Sequence, residues 1–336
     1  MSQRALITGI AGFAGGFLAE HLLDCGDAVL GCSLDGRWEE DSAETIRDRV
    51  ELVPWNLADP AGPGAQARRS IDQFRPSAIY HLAAMSVPKH CGLERIAPEA
   101  IAVNVEGTRR VLELAAALAS RPRVLLVSSS HVYAPVRPES PRVQEGAPLG
   151  PGHGYGLTKL RAEELVRRAV ARDGLDALIA RAFQHSGPRQ VAPLMLSQWA
   201  RQFAEASPKP VEVYTLDAWI DLSDVRDVVR AYRLLVEHGR PGQIYNVGSG
   251  LARRTGDIFA ILRQMADPRR PVVELSPGFK QDPVADITRL VRATGWRPEV
   301  PLEQTIADTL AYWRERNLKT QSPRPKSKIQ DPTSDL

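Results

Sequence analysis

"RALITGIAGFAGG", residues 4–16, decides the fold. Its first five residues are a short apolar run that reads as a buried strand. The glycines at 9, 12 and 15 then shape a turn that opens a helix over residues 13–24. Three glycines so placed have three physical tasks: a tight turn, room for a pyrophosphate against the backbone, and close packing of helix on strand. The helix N-terminus offers free N–H groups and the positive end of its dipole to an anion. Such spacing alone also marks ordinary turns. A strand before it, a helix after it and a place at the head of a β-α-β chain make it a dinucleotide site.

The pattern continues outward. Apolar runs at residues 28–32, 50–53, 78–83, 123–129 and 176–181 read as strands, with helical stretches between them, the clearest over 97–119 and 155–172. Runs that are apolar throughout, rather than alternating, mark strands covered on both faces and hence a parallel sheet. The expected fold class is α/β, a doubly wound parallel sheet (Rossmann) with a smaller, interwoven C-terminal lobe. Residues 1–181 are mainly the NAD(P)-binding part. Residues 182–316 are mainly a substrate lobe that returns some elements to the sheet, with helices at 194–206 and 224–238 separated by "VEVYTLDAWIDLS". Residues 317–336, polar and proline-rich, read as a disordered tail.

Composition narrows the class. The 336 residues carry 43 Lys and Arg against 40 Asp and Glu, a net charge of +3, too balanced for a nucleic-acid or membrane-surface partner. Cys25, Cys32 and Cys91 are scattered without paired spacing, which suits reduced thiols in a cytoplasmic setting. No run approaches the ~20 apolar residues of a membrane span, and no metal is expected.

Chemistry enters with "HGYGLTK", residues 153–159. Tyr155 and Lys159 lie four apart, on one face of a helix. A phenol with a pKa near 10 exchanges protons poorly at neutral pH. An ammonium ~4 Å away, at an effective dielectric of ~20, supplies the roughly 4 kcal/mol that would bring it to ~7. Lys159 is also placed to bind the nicotinamide ribose. The strand ending "VLLVSSSHVY" sets its serines at the carboxyl edge of the sheet, where ligands bind. After the second strand, "CSLDGRW" offers Asp35 for a ribose hydroxyl and Arg37 for a 2′-phosphate, which leaves NAD and NADP both open.

The glycine loop, "HLAA" at residues 81–84, "SSSHVY" and "YGLTK" together resemble the extended short-chain dehydrogenase/reductase family, the nucleotide-sugar epimerases and dehydratases. The resemblance runs from about residue 4 to residue 316. It implies Ser129 as the serine that binds the substrate oxygen, Tyr155 as acid/base and Lys159 as its activator. It gives Asn104, in "VNVEGT", a structural role. Gly9, Gly12, Phe13, Gly15, Asp35, Arg37, Asn56, Leu57, Leu82, Ala83 and Ala84 fall on the cofactor side, with Tyr155 and Lys159. Ser86, Lys89, Ser130, Gln184, Arg189, Arg201 and Lys280 fall on the substrate side. A homodimer packed through helices 97–119 and 155–172 is implied as well.

Later segments, among them "IDLSDVRDVVRAYRLL" and "TGWRPEVPLEQTIADTLAYWRER", look like the GDP-4-keto-6-deoxy-mannose reductases, with the GDP-mannose 4,6-dehydratases next. That likeness implies reduction of the C4 ketone of a 4-keto-6-deoxy nucleotide sugar, GDP-4-keto-6-deoxy-mannose to GDP-rhamnose. Dehydration would need a carboxylate where this chain has Ser130 and His131. His131 is either a second acid/base, since imidazole titrates near 6.5, or a neutral histidine satisfied by the backbone. An epimerase or dehydratase with recycled cofactor is the alternative, and a non-catalytic NAD(P)-binding regulator a third. Three positions depart from the family pattern. Ile220 stands where an arginine is usual, "GFKQDP" offers Lys280 as its only cation, and Gln184 replaces an asparagine. Lysine meets a diphosphate only as a point charge.

Overall fold

Seven parallel strands form the sheet: β1 (Arg4–Thr8), β2 (Ala28–Ser33), β3 (Glu51–Pro54), β4 (Ala78–His81), β5 (Arg123–Ser129) and β6 (Ala177–Ala182) carry the six apolar runs, and β7 (Ile244–Val247) is an element that the C-terminal part returns to the sheet. They lie in the order β7-β6-β5-β4-β1-β2-β3. The order reverses beside β1, so a crevice opens at the carboxyl ends of β1 and β4. The structure is a computed structural model that describes residues 2–39, 44–93 and 95–321.

Helices cover both faces, as the apolar runs required. On one face α1 (Phe13–Asp24) packs against a helix over Val225–His238. On the other lie helices over Ala65–Phe74 and Gly107–Ala117, and the long helix Gly154–Asp173, which bury Ile71, Val111, Ala162 and Val166. The expected helix 97–119 is interrupted. A π-helical stretch, Ile101–Glu106, sits between Pro98–Ala100 and Gly107–Ala117 and turns Asn104 inward. There the Asn104 amide accepts from the Met85 N–H (2.7 Å) and donates to Thr158 Oγ1 (3.0 Å), tying the loop after β4 to the Gly154–Asp173 helix.

The smaller lobe is more ordered than its polar sequence suggested. "VEVYTLDAWIDLS" holds two strands, Val211–Val213 and Ala218–Asp224, and residues 255–266 form a helix (Thr255–Ala266) that the sequence reading did not single out. These elements, with helices Met195–Ala204 and Leu302–Gln321, enclose a second core around Trp199, Ile220, Phe259 and Leu310. The last helix runs through Gln321, so residues 317–321 are helical rather than tail. Residues 322–336 lie outside the described residues. Among the described residues, no helix is long and apolar enough to cross a membrane.

One buried ion pair sets the Gly154–Asp173 helix on the sheet. Arg181 of β6 donates to Glu163 from Nε (2.9 Å) and Nη2 (2.7 Å), and Ser128 of β5 donates to the same carboxylate (2.6 Å). Both charged side chains are essentially inaccessible, at 1% and 0% exposure. Removing one partner leaves an uncompensated buried charge. Arg181→Leu is therefore expected to cost about 3–5 kcal/mol in urea unfolding, and Glu163→Leu/Arg181→Leu together less than that. A cost below about 1 kcal/mol for Arg181→Leu would show that the pair does not hold the helix.

Candidate active site

The crevice begins with the glycine turn. Gly9 has a left-handed φ of 74°, and a Cβ on it would lie 2.7 Å from the Ala83 Cα. A Cβ on Gly15 would lie 2.2 Å from the Gly9 carbonyl oxygen. Gly12 caps α1 without a side chain, and the first turn holds no carboxylate. The result is a helix N-terminus open to an anion and free of competing negative charge. Leu82, Ala83 and Ala84 follow β4 at the same edge, where Thr8 binds the Leu82 and Ala83 N–H groups at 3.2 and 3.4 Å. Phe13 stacks on His185, ring centroids 6.0 Å apart. Past β2, Asp35 and Arg37 are both exposed, and the Arg37 N–H donates to Asp35 Oδ1 (3.1 Å). Asn56 is exposed and Leu57 buried just past β3. The residues present fit a dinucleotide.

The reacting groups gather at the end of β5. Ser129 caps a short turn, accepting from the His131 N–H at 3.2 Å, and its hydroxyl lies close enough to the Tyr155 phenol to favour the ionised form. Lys159, 4% exposed, donates from Nζ to the Val127 carbonyl at 2.9 Å. Its Nζ is 5.9 Å from the Tyr155 ring centroid. Tyr155 and Lys159 thus share a helix face at the crevice, as their spacing required.

The expected pKa of the phenol is corrected. Burial pushes Tyr155 up to about 12, and the nearby Ser129 hydroxyl only partly opposes it. Burial also brings Lys159 down to about 8, against the pull of Cys91 and Glu163. Desolvation outweighs the attraction between the pair because the ammonium is engaged with a backbone carbonyl rather than with the phenol oxygen. At neutral pH the phenol is a protonated donor and the lysine is still cationic.

Beside them lies a cavity of about 270 Å³, lined by Ser130, His131, His153, Gln184, Lys280 and Asp282, among others. Three of the expected substrate residues, Ser130, Gln184 and Lys280, therefore meet in one place. Asp282 joins two of them: Gln184 donates to it at 2.8 Å and Lys280 pairs with it at 3.0 Å. Asp221, also at the wall, is saturated by the N–H groups of Ser249, Gly250 and Ala285 and by the Ser249 hydroxyl. Ile220, the departure from the family arginine, belongs to the lobe's core.

Other expected residues stand apart. Arg189 forms a two-pronged pair with Glu20 of α1 and lies over the Phe17 ring at 3.9 Å, tying the lobe to the sheet domain. Arg201 is exposed, 3.9 Å from Glu205. Ser86 and Lys89 are exposed on the loop whose Gly92 carbonyl receives the Gly154 N–H at 2.8 Å. None of these four lines the cavity.

His131 is buried enough to bring its pKa down to about 4, with His153 adding to the effect, so it is uncharged at neutral pH rather than titrating near 6.5. Its Nδ1 is satisfied by the His153 ring, at 3.2 Å, and not by the backbone. His153 and Asp282 were missed in the sequence. A histidine at a helix N-cap, where Ser, Thr, Asp or Asn is usual, was the available signal for the first.

A family model described as the NAD dependent epimerase/dehydratase family matches residues 5–248. The chain belongs to this family. It is 27% identical over 326 residues to a GDP-6-deoxy-D-mannose reductase of Pseudomonas aeruginosa, covering 94% of this chain and 99% of that one. It is 30% identical to a UDP-glucose 4-epimerase of Mycolicibacterium smegmatis, covering 94% and 100%. A solved structure of RMD from Pseudomonas aeruginosa complexed with NADPH superposes with a TM-score of 0.78 at 26% identity, covering 94% of this chain and 100% of that one. Members of this family are nucleotide-sugar reductases, epimerases and dehydratases that use NAD(P).

Two outcomes follow from this geometry. Gly15→Ala is expected to lower the affinity for NADPH at least tenfold in a fluorescence titration, because its Cβ overlaps the Gly9 carbonyl; unchanged affinity would remove the glycine turn from the cofactor site. Lys159 binds its proton less well in the folded protein, near 8, than an ordinary solvated lysine does, near 10.5. The unfolded chain therefore holds the extra proton between those values, and stability of the cofactor-free protein should rise with pH across that window. Melting curves of wild type and Lys159→Met over that range should diverge accordingly, and parallel curves would contradict the shift.

Proposed function

We propose that this protein reduces the C4 ketone of a 4-keto-6-deoxy nucleotide sugar, with GDP-4-keto-6-deoxy-mannose, giving GDP-rhamnose, as the leading substrate. The observation that carries this reading is Tyr155 on one helix face with Lys159, beside a cavity whose described carboxylates, Asp221 and Asp282, are already engaged. A reduced nicotinamide cofactor held over the Gly9–Gly15 turn would supply the hydride. The Ser129 hydroxyl holds the substrate oxygen and Tyr155 delivers the proton to it. Lys159 stays cationic at neutral pH and favours the phenolate left behind, by charge rather than by direct contact. Asp35 and Arg37, both exposed at the end of β2, are the residues that choose between NAD and NADP.

Dehydration requires a base for a carbon-bound proton and an acid for the departing hydroxyl, and among the described residues no unengaged carboxylate lines this cavity. Epimerisation is the stronger rival, given the likeness to a UDP-glucose 4-epimerase. An epimerase would retain its NAD(H) and show no net change in nicotinamide absorbance. A regulator that merely binds NAD(P) would have no use for the phenol. The same reading includes a cytoplasmic homodimer joined through the helices at 98–117 and Gly154–Asp173.

Purified protein given GDP-4-keto-6-deoxy-mannose is expected to oxidise NADPH or NADH. Tyr155→Phe should lower kcat by about 10²–10⁴, the usual worth of a positioned acid, and leave cofactor affinity within about twofold. Turnover of this substrate by Tyr155→Phe at the wild-type rate would defeat the assignment. Turnover of a different keto-sugar would move the substrate and keep the chemistry.

A further inference from the structure

His131 and His153 both line the cavity and both approach the reacting tyrosine. Ring centroids are 5.8 Å apart for His131 and Tyr155, and 6.3 Å for His153 and Tyr155. The two imidazoles contact each other through His153 Nε2 and His131 Nδ1 at 3.2 Å. One end of this chain is fixed by the backbone: the Gly156 N–H donates to His153 Nδ1 at 3.4 Å.

That backbone bond determines every proton in the chain. His153 Nδ1 accepts, so a neutral His153 carries its proton on Nε2. Nε2 then donates to His131 Nδ1, which leaves the His131 proton on its own Nε2. Among the described residues, His131 Nε2 has no hydrogen-bond partner. We propose that the two histidines act as one uncharged imidazole pair, with His131 Nε2–H a second hydrogen-bond donor to the substrate and His153 the positioning residue that fixes it.

The inference rests on the reductase reading and adds what the site recognises. An imidazole held in this tautomer has an N–H, and no lone pair, left for a ligand in the cavity that it lines. It can hold an oxygen but cannot take a proton from carbon, which sets this site apart from one that epimerises through that residue. Being uncharged, it suits a hydroxyl or carbonyl oxygen next to the reacting carbon rather than a phosphate, whose bonds are strong when the donor is ionised. The charged groups around the pair agree with its neutrality. Burial disfavours the imidazolium of both rings, and Lys280 adds to this for each. Asp282 alone pulls the other way on His131, and it is tied to Lys280 at 3.0 Å.

Nitrogen-detected NMR of the imidazoles on the full chain reads the tautomer without any substrate. At pH 7 the proposal requires neutral His131 protonated at Nε2, and His153→Asn, which keeps a cap-forming side chain, should release it into a tautomer mixture. With NADPH and GDP-4-keto-6-deoxy-mannose, His153→Asn and His131→Asn should each lower kcat/KM about tenfold, the worth of one hydrogen bond. The double variant should be no worse than either, and the affinity for NADPH should not move. A His131 proton on Nδ1, a charged His131 at pH 7, or additive losses in the double variant would each overturn the proposal. If the wild type does not reduce this sugar, the reductase reading fails for it, and the tautomer measurement still decides the pair.

Discussion

The site depends on how one helix is rotated against the sheet. Tyr155, Lys159 and Glu163 recur every four residues, so they share a single stripe of the Gly154–Asp173 helix. A turn of one residue, about 100°, would carry all three off the crevice together. Glu163 prevents this through its two-pronged bond to Arg181 of β6 and its bond from Ser128 of β5. Lys159 adds a bond to the Val127 carbonyl of the same strand. The charges that orient the helix, Lys159 and Glu163, are thus buried about one and two turns below the group that reacts.

Burial also sets the protonation states. It keeps the Tyr155 proton on, makes Lys159 more willing to lose its own, and discharges His131. One physical cause therefore yields a proton donor, a cation that is just retained at neutral pH, and an uncharged imidazole pair. The site is poor in free charge. Lys280 is neutralised by Asp282, and Asp221 is spent on the backbone of the Ser249–Gly250 turn and on Ala285. Such a cavity is suited to positioning neutral sugar oxygens.

The sheet was legible because six of its seven strands are mainly apolar runs whose ends fall within a residue or two of the reading; β7 was not among them. β1 and β5 match the reading to the residue. The glycine turn and the Tyr155–Lys159 pair were legible because each is local in sequence. The lobe was not: its strands are two to seven residues long, and pairings such as Val272 with Val211 join distant segments. Arg189 was placed on the substrate side because its partner, Glu20, lies 169 residues away in the sequence. The tyrosine pKa was misjudged for a different reason. Spacing gives the neighbour of a group, and it does not give the cost of taking that group out of water.

The central claim is that the phenol and the ammonium work as one unit held by that helix. A double-mutant cycle on ketone reduction, with Tyr155→Phe and Lys159→Met measured singly and together, tests it most directly. If each group matters only through the other, the double variant should lose about as much kcat as Tyr155→Phe alone. Losses that multiply, so that the two free energies simply add, would mean that the groups act separately and that the account is wrong.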